Sequence, residues 1–320
     1  MFYTLNKKKI LQLIIALALL VWAIFTIVTQ MTVCQTDGQT FICQNFFSYL
    51  QQHTAIMKGL AIFMLLLEVL FVQRYYESNK FPDNQTYMPI VMLLLFVNVS
   101  HSLTVFTPAH LSVLMLSFIL LFNTRDENDR SSYNRVFSSG ILIGLATLFD
   151  PSAIWLLLFL MLMIFSNQFS KAKEVLILLF GFLIVAIYLF STMFLKDSFP
   201  ILQHSLKYLY TFVPLKQLSQ TAVIEIVSMG VVLLFTIIIG IVTKIYFDSK
   251  LVVLRKRFTT VHFLLFVMIV MMLFSGLSLR SATIYLMLPI TIYTSVLCLN
   301  KNRVFVHDAI LVLLFVALWL

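Results

Sequence analysis

The stretch GILIGLATLFDPSAIWLLLFLMLMIF, from Gly140 to Phe165, is apolar at almost every position except Asp150 and Pro151. A helix of about 20 apolar residues already crosses a bilayer, and proline is poorly tolerated inside a helix. An Asp-Pro pair is instead typical of a helix start, where the carboxylate accepts free backbone N–H groups and proline takes the first helical position. The sequence therefore predicts a hairpin of two short helices, Val136–Phe149 and Ser152–Phe165, with Asp150 at the turn.

A second pair of the same kind, Thr107 and Pro108, opens the apolar segment Pro108–Phe122. Helices of about 14 residues are about 21 Å long, whereas the hydrocarbon core of a bilayer is about 30 Å thick. Because backbone polar groups cannot face lipid at that depth, the turns must face protein or water. We expect the two hairpins to leave a recess in the outer half of the membrane. Its predicted polar lining is Asn98, Ser100, His101, Ser102, Thr104, Thr107, His110 and Asp150.

Composition places the whole chain in a membrane. Of its 320 residues, 61% are hydrophobic and 11% are charged, against about 25% charged residues in soluble domains. No interval between the apolar runs is long enough for a soluble core, so residues 1–320 are predicted to form a single integral membrane domain of the all-α class. About eleven spans are predicted, at Ile10–Thr29, Ala55–Gln73, Met88–Phe106, Pro108–Phe122, Val136–Phe149, Ser152–Phe165, Glu174–Leu195, Thr221–Thr243, Val261–Leu277, Ser281–Leu299 and Val304–Leu320.

The basic residues indicate the orientation of these spans. The formal net charge is +9, with 22 Lys and Arg residues. All but five of them fall in predicted loops on the side of Lys7–Lys9, and an excess of this kind marks the cytoplasmic side. We therefore expect a multi-pass protein of the bacterial inner (cytoplasmic) membrane, with a cytoplasmic N-terminus. Membrane lipids are expected partners and nucleic acid is not, because no basic stripe is interleaved with aromatic residues.

The first predicted outer loop, Gln30–Thr54, carries one acid, Asp37, and two cysteines, Cys34 and Cys43. A carboxylate at the membrane boundary can act as the general base for an acceptor hydroxyl, although an aspartate in such a loop is also a common turn residue. Both interpretations stay open. The outer compartment permits disulfides, so we predict a bridge between Cys34 and Cys43. No metal site is predicted, because too few ligands stand near one another.

Basic residues on the predicted outer side are candidates for binding the phosphate of a lipid. The guanidinium of Arg280 can contact a phosphate with two donors. His204 and Lys207 lie on a predicted interfacial helix in the loop Lys196–Gln220, and Lys58 and His101 complete the candidate set. Snorkelling of the long basic side chains to the headgroups is the alternative interpretation.

Three acids lie at membrane depth in this assignment: Asp150, Glu68 and Glu225. Glu225 is about one turn from the outer face and is expected to neutralise Lys216 or Arg280. One interpretation of Asp150 is that it only caps the helix that follows it. The other is that it also belongs to the functional site, because ionisable groups inside a membrane usually face a functional cavity. Glu68 is expected to pair with Arg74 near the cytoplasmic end of its span. The sequence contains no Gly-rich phosphate loop or dinucleotide fingerprint, so no cofactor is predicted.

The segment from Gly140 to Pro151 resembles the hairpin pattern G-x-x-x-G-L-A-x-h-x-x-P of polytopic GT-C type glycosyltransferases. The chain as a whole resembles an uncharacterised family of multi-span inner-membrane proteins of Bacteroidota. The GT-C resemblance implies a fold with short helical hairpins. It also implies transfer of a sugar from a polyprenyl-phosphate carrier to an envelope acceptor at the outer face of the membrane.

The resemblance assigns roles by position. The catalytic acid of the GT-C family lies in the first outer loop, often as one of a pair, and falls here on Asp37. The cation that holds the carrier phosphate falls on Arg280, with Lys207 beside it, and Asp150 becomes a wall of the cavity. Two alternatives stay open. One is a lipid or solute transporter, in which Glu68 extends a polar path inward, and the other is a non-catalytic membrane subunit of a cell-envelope assembly.

Overall fold

The computed structural model describes residues 9–33, 41–79, 81, 86–100, 102–123, 132–166, 171–196, 223–248, 252–274 and 279–299. This part of the chain is all-α apart from one pair of two-residue strands, as the composition predicts. Its helices are α1 (Lys9–Gln30), α2 (Phe41–Gln52), α3 (Thr54–Ser78), α4 (Met88–Val99), α5 (Pro108–Phe122), α6 (Ser132–Phe149), α7 (Leu156–Ser166), α8 (Lys171–Leu195), α9 (Val223–Asp248), α10 (Val252–Phe274) and α11 (Leu279–Leu299).

Helices of two lengths make up this membrane protein. Within the described ranges, four stretches are long and apolar enough to cross a bilayer, at Lys9–Gln30, Thr54–Ser78, Ala172–Leu195 and Ser281–Cys298. Shorter apolar helices stand beside them, among them α4 and α5. The first ten predicted spans each fall on a helix, and the eleventh, Val304–Leu320, lies outside the described residues.

The third predicted span, Met88–Phe106, is wrong in its second half. The helix ends at Val99, so that it is 12 residues long, and a 3₁₀ turn at Ser102–Thr104 and a strand at Val105–Phe106 follow it. Polar side chains end this helix by bonding to its last backbone carbonyls. Asn98 Nδ2 donates to the carbonyl oxygen of Leu94 at 2.7 Å, and the Ser102 hydroxyl donates to that of Val97 at 3.2 Å.

The parallel strands β1 (Thr32–Val33) and β2 (Val105–Phe106) join the end of α1 to the turn between α4 and α5. The sequence interpretation also missed α2, because it treated Gln30–Thr54 as a loop. This helix is amphipathic: Phe47 and Leu50 are buried, while Tyr49 is exposed. The apolar spacing of these residues is the signal that could have identified α2.

The contacts between helices fix their relative directions. Lys58, at the start of α3, donates from Nζ to the carbonyl oxygen of Val28 near the end of α1 at 2.6 Å, so these two helices are antiparallel. Thr86, just before α4, donates to Oε1 of Gln12 near the start of α1, so α1 and α4 run in the same direction. We call the end of the bundle that holds the turns at Thr104–Pro108 and Asp150–Pro151 the turn end.

Two glycines of the opening stretch bring α6 against α8. A Cβ atom on Gly140 would overlap the carbonyl oxygen of Leu178, and one on Gly181 would overlap that of Phe137. A Cβ atom on Gly144 would lie only 2.7 Å from that of Val185. Small residues four apart allow backbones to approach closely in membrane helices. This packing accounts for the glycines of the G-x-x-x-G pattern without any role in chemistry.

Candidate functional site

The turn between α6 and α7 is organised around the carboxylate of Asp150. Its Oδ1 accepts a hydrogen bond from the backbone N–H of Ser152 at 3.0 Å, with Pro151 as the first residue of the 3₁₀ helix Pro151–Trp155. Its Oδ2 accepts a hydrogen bond from the hydroxyl of Tyr285 at 2.7 Å. Asp150 is buried, with 7% of its surface exposed. The predicted capping role is therefore confirmed, whereas a role in a reaction stays a prediction.

Tyr285, which sequence reasoning did not select, lies on the second turn of α11 and is 1% exposed. A buried carboxylate needs donors that compensate for its lost hydration, and the phenol supplies one from a different helix. No spacing in the sequence indicates this partner, because Tyr285 stands among ordinary apolar residues. The contact places the N-terminal part of α11 beside the Asp150–Pro151 turn.

The turn between α4 and α5 has Thr107 as the N-cap residue and Pro108 as the first helical residue, as predicted. His110, three residues after the cap, points back at Thr107. Its Nδ1 accepts the backbone N–H of Thr107 at 3.3 Å and lies 3.0 Å from the Thr107 hydroxyl oxygen. With Nδ1 as the acceptor, a neutral ring carries its hydrogen on Nε2. The backbone of Ser102 interacts with this imidazole, although no well-aligned hydrogen bond to the buried Nε2 forms within the described part of the chain.

A cavity lies between this turn and the helices α3 and α11. Its volume is about 20 Å³, which is room for about one water molecule. Its walls are mainly apolar, and its polar lining is Glu68, Ser102 and His110. The lining residues are Met31, Ala61, Met64, Leu65, Glu68, Val97, Ser102, Leu103, Phe106, His110, Ile284 and Met287.

This cavity differs from the predicted recess. Ser102 and His110 belong to the predicted lining and do line it, but Asp150 does not. Asn98 is turned toward helix backbone instead, because its Nδ2 donates to the carbonyl oxygens of Leu94 and Leu19. The space expected around Asp150 is filled by Tyr285. Ser100, Thr104 and Thr107 do not line this cavity either, so it is less polar than the sequence suggests.

Glu68 faces this cavity, and its predicted pairing with Arg74 is wrong. Residues six apart on a helix are not neighbours on its surface, since contacts fall at spacings of three and four. Arg74 is exposed, and Glu68 is half-buried. Among the described residues, Glu68 has no hydrogen bond or ion pair, although its side chain lines a mainly apolar cavity.

Most of the residues that were predicted to act in catalysis, phosphate binding or a disulfide lie outside the described residues. These are Asp37, His101, His204 and Lys207, together with Cys34 of the predicted disulfide and the side chains of Cys43 and Arg280. Lys58 is described, and its ammonium donates to the carbonyl oxygen of Val28. Across the described ranges, no three His, Cys, Asp or Glu side chains form a group that could hold a metal ion.

The elements on either side of Asp37 contact both turns. Residues 34–40 connect β1, which pairs with β2 at Phe106, to α2. On α2, the ring of Phe47 stacks on Phe106 with centroids 5.6 Å apart, and the ring of Phe46 lies 5.7 Å from that of Phe149. Phe106 precedes Thr107 and Phe149 precedes Asp150. The first loop is thus attached to the bundle at both hairpin turns.

A family model described as "Family of unknown function (DUF6427)" matches residues 38–320. The chain belongs to this family. The matched region includes α2, both hairpin turns and the cavity residues Glu68 and His110, whereas Asp37 is the residue immediately before it. No curated protein and no solved structure matches the chain.

Proposed function

We propose that this protein transfers a sugar from a polyprenyl-phosphate carrier to an envelope acceptor at the outer face of the bacterial inner membrane. In this proposal the turn end of the bundle faces outward, the chain crosses the membrane about eleven times, and the architecture is GT-C-like. The carrier phosphate already activates the sugar, so that neither a nucleotide nor a metal cofactor is required.

The observation that carries the proposal is the attachment of the first loop to both hairpin turns. The pairing of Val33 with Phe106 and the contact between Phe46 and Phe149 bring β1 and α2, the described elements on either side of Asp37, to the two turns. A base must lie within hydrogen-bond reach of the acceptor hydroxyl. The position of β1 and α2 beside both turns supports the choice of Asp37 as this base.

The start of α11 supports the assignment of Arg280 to the carrier phosphate. Arg280 is the second residue of α11, and the next turns of this helix contact both hairpin turns. Tyr285 bonds to Asp150, and Met287 Sδ lies 3.9 Å from the hydroxyl of Ser102. We propose that Arg280 and Lys207 bind the phosphate, and that Asp150 holds α11 in place. The rest of the headgroup is assigned to His204, His101 and Lys58.

A second candidate function is that of a non-catalytic membrane subunit of a cell-envelope assembly. It is favoured by the burial of Asp150, whose two oxygens are both occupied by protein donors. A filled turn offers no room for a sugar at that position. In this case the partners are envelope proteins that bind the turn end.

Mass spectrometry of the lipids that copurify with the protein distinguishes the two candidates. The transferase predicts retained polyprenyl phosphate or its glycosylated form, and predicts that Arg280→Ala reduces the retained amount. The matched control is Lys244→Ala, which removes a cation from the opposite end of the bundle. Copurified phospholipid without any polyprenyl phosphate, equal in both variants, would favour the subunit.

A further inference from the structure

The side of α2 that points away from the bundle is a polar surface at the turn end. Phe46 and Phe47 pack the helix against the two hairpin turns. Four exposed residues make up the opposite side, which we call the α2 face: Asn45, Ser48, Tyr49 and Gln52. Residues three and four positions apart are neighbours on a helix surface, so that these side chains form one continuous stripe.

Tyr49 gives the α2 face an exposed aromatic ring. The residue is 50% exposed, and the centroid of its ring lies 4.5 Å from that of His53, which is also exposed. Tyrosine offers a large and rigid contact area at a low cost in conformational entropy. The ring of Tyr49 is therefore suited to contact a partner molecule.

The α2 face has no formal charge. Between Asp37 and Lys58 the sequence contains no Asp, Glu, Lys or Arg, although the net charge of the chain is +9. Helices that bind anionic lipid headgroups usually carry Lys and Arg on their polar side, and a phosphorylated partner needs cations as well. The complementary partner of this face is therefore neutral.

The side chains of the α2 face match the groups of a sugar. The amides of Asn45 and Gln52 each offer donors and an acceptor, and they have no hydrogen-bond partner among the described residues. Sugar hydroxyls both donate and accept, and the C–H groups on the face of a sugar ring can stack on an aromatic ring. The stripe from Asn45 to Gln52 is about 10 Å long at 1.5 Å per residue, which is enough for a disaccharide unit.

We propose that the α2 face binds the sugar residues of a neutral oligosaccharide acceptor, with Tyr49 stacked on a sugar ring and the amides of Asn45 and Gln52 bonded to hydroxyl groups. This inference rests on the proposed transfer reaction, in which Asp37, four residues before the start of α2, activates the hydroxyl that receives the sugar. It makes the acceptor a glycan chain.

Binding to a glycan array tests the α2 face without any donor sugar. The full-length protein in lipid nanodiscs is applied to neutral tetrasaccharides of glucose, galactose and mannose, and to uronic-acid tetrasaccharides for comparison. We expect binding to a neutral series, reduced about tenfold by Tyr49→Ala because an aromatic contact is lost, and retained by Tyr49→Trp. Tyr133→Ala, which removes a 43% exposed tyrosine at the opposite end of the bundle, should bind like the unmodified protein.

Three results of the array would each overturn the proposal. One is the absence of binding to any neutral tetrasaccharide, as expected if the α2 face lies against lipid headgroups. The others are equal binding by the Tyr49→Ala protein and stronger binding of the uronic-acid series. Monodisperse elution in size-exclusion chromatography shows that each variant is folded.

The transfer reaction gives a separate readout. With a tetrasaccharide acceptor, Tyr49→Ala should raise KM about tenfold and leave kcat unchanged, whereas with a monosaccharide acceptor both should stay the same. Glycan binding by a protein that transfers no sugar would contradict the transfer reaction and support the α2 face as a glycan-binding surface. Transfer to the tetrasaccharide with an unchanged KM in Tyr49→Ala would overturn the α2 face alone.

Discussion

The hydroxyl of Tyr285 donates a 2.7 Å hydrogen bond to Oδ2 of Asp150, and this contact joins α11 to the turn between α6 and α7. Both residues are buried, so the bond forms away from water, where an unpaired polar group is costly. The same carboxylate caps the helix that follows it through Ser152. The Asp150 side chain therefore fixes both the start of the 3₁₀ helix Pro151–Trp155 and the position of α11.

Replacing Tyr285 with phenylalanine should destabilise the protein. The change leaves Oδ2 of Asp150 buried without its donor, which costs about 1–3 kcal/mol. The measurement is unfolding by SDS titration in mixed micelles, followed by circular dichroism. Tyr293→Phe is the matched control, because Tyr293 lies on the same helix, is fully buried, and has a hydroxyl without a partner in the described part of the chain. Equal destabilisation by the two variants would contradict the role given to the Tyr285–Asp150 bond.

Replacing Gly140 with alanine should separate α6 from α8. The added Cβ overlaps the carbonyl oxygen of Leu178, a backbone atom that cannot turn away, and overpacking of this kind costs about 1–3 kcal/mol. Gly59→Ala is the control, since its Cβ would meet nothing within 4 Å. Both substitutions gain about 1 kcal/mol of helix propensity, so the difference between the two unfolding free energies reports the packing alone. A Gly140→Ala protein as stable as Gly59→Ala would show that the helices do not approach so closely.

The orientation of the bundle can be measured by cysteine accessibility in intact cells. In a background without native cysteines, a cysteine at Gln51 on α2 should react with a membrane-impermeant maleimide, because the turn end is proposed to face outward. A cysteine at Tyr133, at the opposite end and 43% exposed, should react only after the membrane is permeabilised. The reverse pattern of labelling would place the turn end in the cytoplasm and would exclude acceptor chemistry at the outer face of the inner membrane.

The sequence predicts the regular parts of this structure well. Apolar runs locate ten helices, although Met88–Phe106 extends seven residues beyond its helix and Val261–Leu277 begins nine residues after the start of its helix. The Thr107-Pro108 and Asp150-Pro151 pairs identify both helix starts, because capping and proline act locally. The pairing of Val33 with Phe106 and the bond between Tyr285 and Asp150 join residues far apart in the chain. Neither leaves a periodic or compositional signal.

The predicted site residues show the same difference between local signals, which a sequence contains, and contacts between distant residues, which it does not. The sequence selected Ser102 and His110 for a polar recess because they are polar for their depth and stand near the Thr107-Pro108 turn, and both do line a cavity. Glu68 was expected to pair with Arg74, since a charge inside a membrane usually has a partner. Only the geometry of α3 shows that Glu68 turns instead toward the cavity and His110. The partner of a buried charge depends on which helices pack together, and a single sequence does not contain that information.

In the proposed reaction the protein transfers a sugar with Asp37 as the base. The most direct measurement is transfer of radiolabelled sugar from polyprenyl phosphate by the purified protein in nanodiscs, with envelope extract as acceptor. Asp37→Asn should reduce the rate by about 10² or more, the usual contribution of a general base, while Asp126→Asn, in a predicted cytoplasmic loop, should transfer at the unmodified rate. Undiminished transfer by a folded Asp37→Asn protein, or no transfer by the unmodified protein with any polyprenyl-phosphate sugar, would contradict the claim.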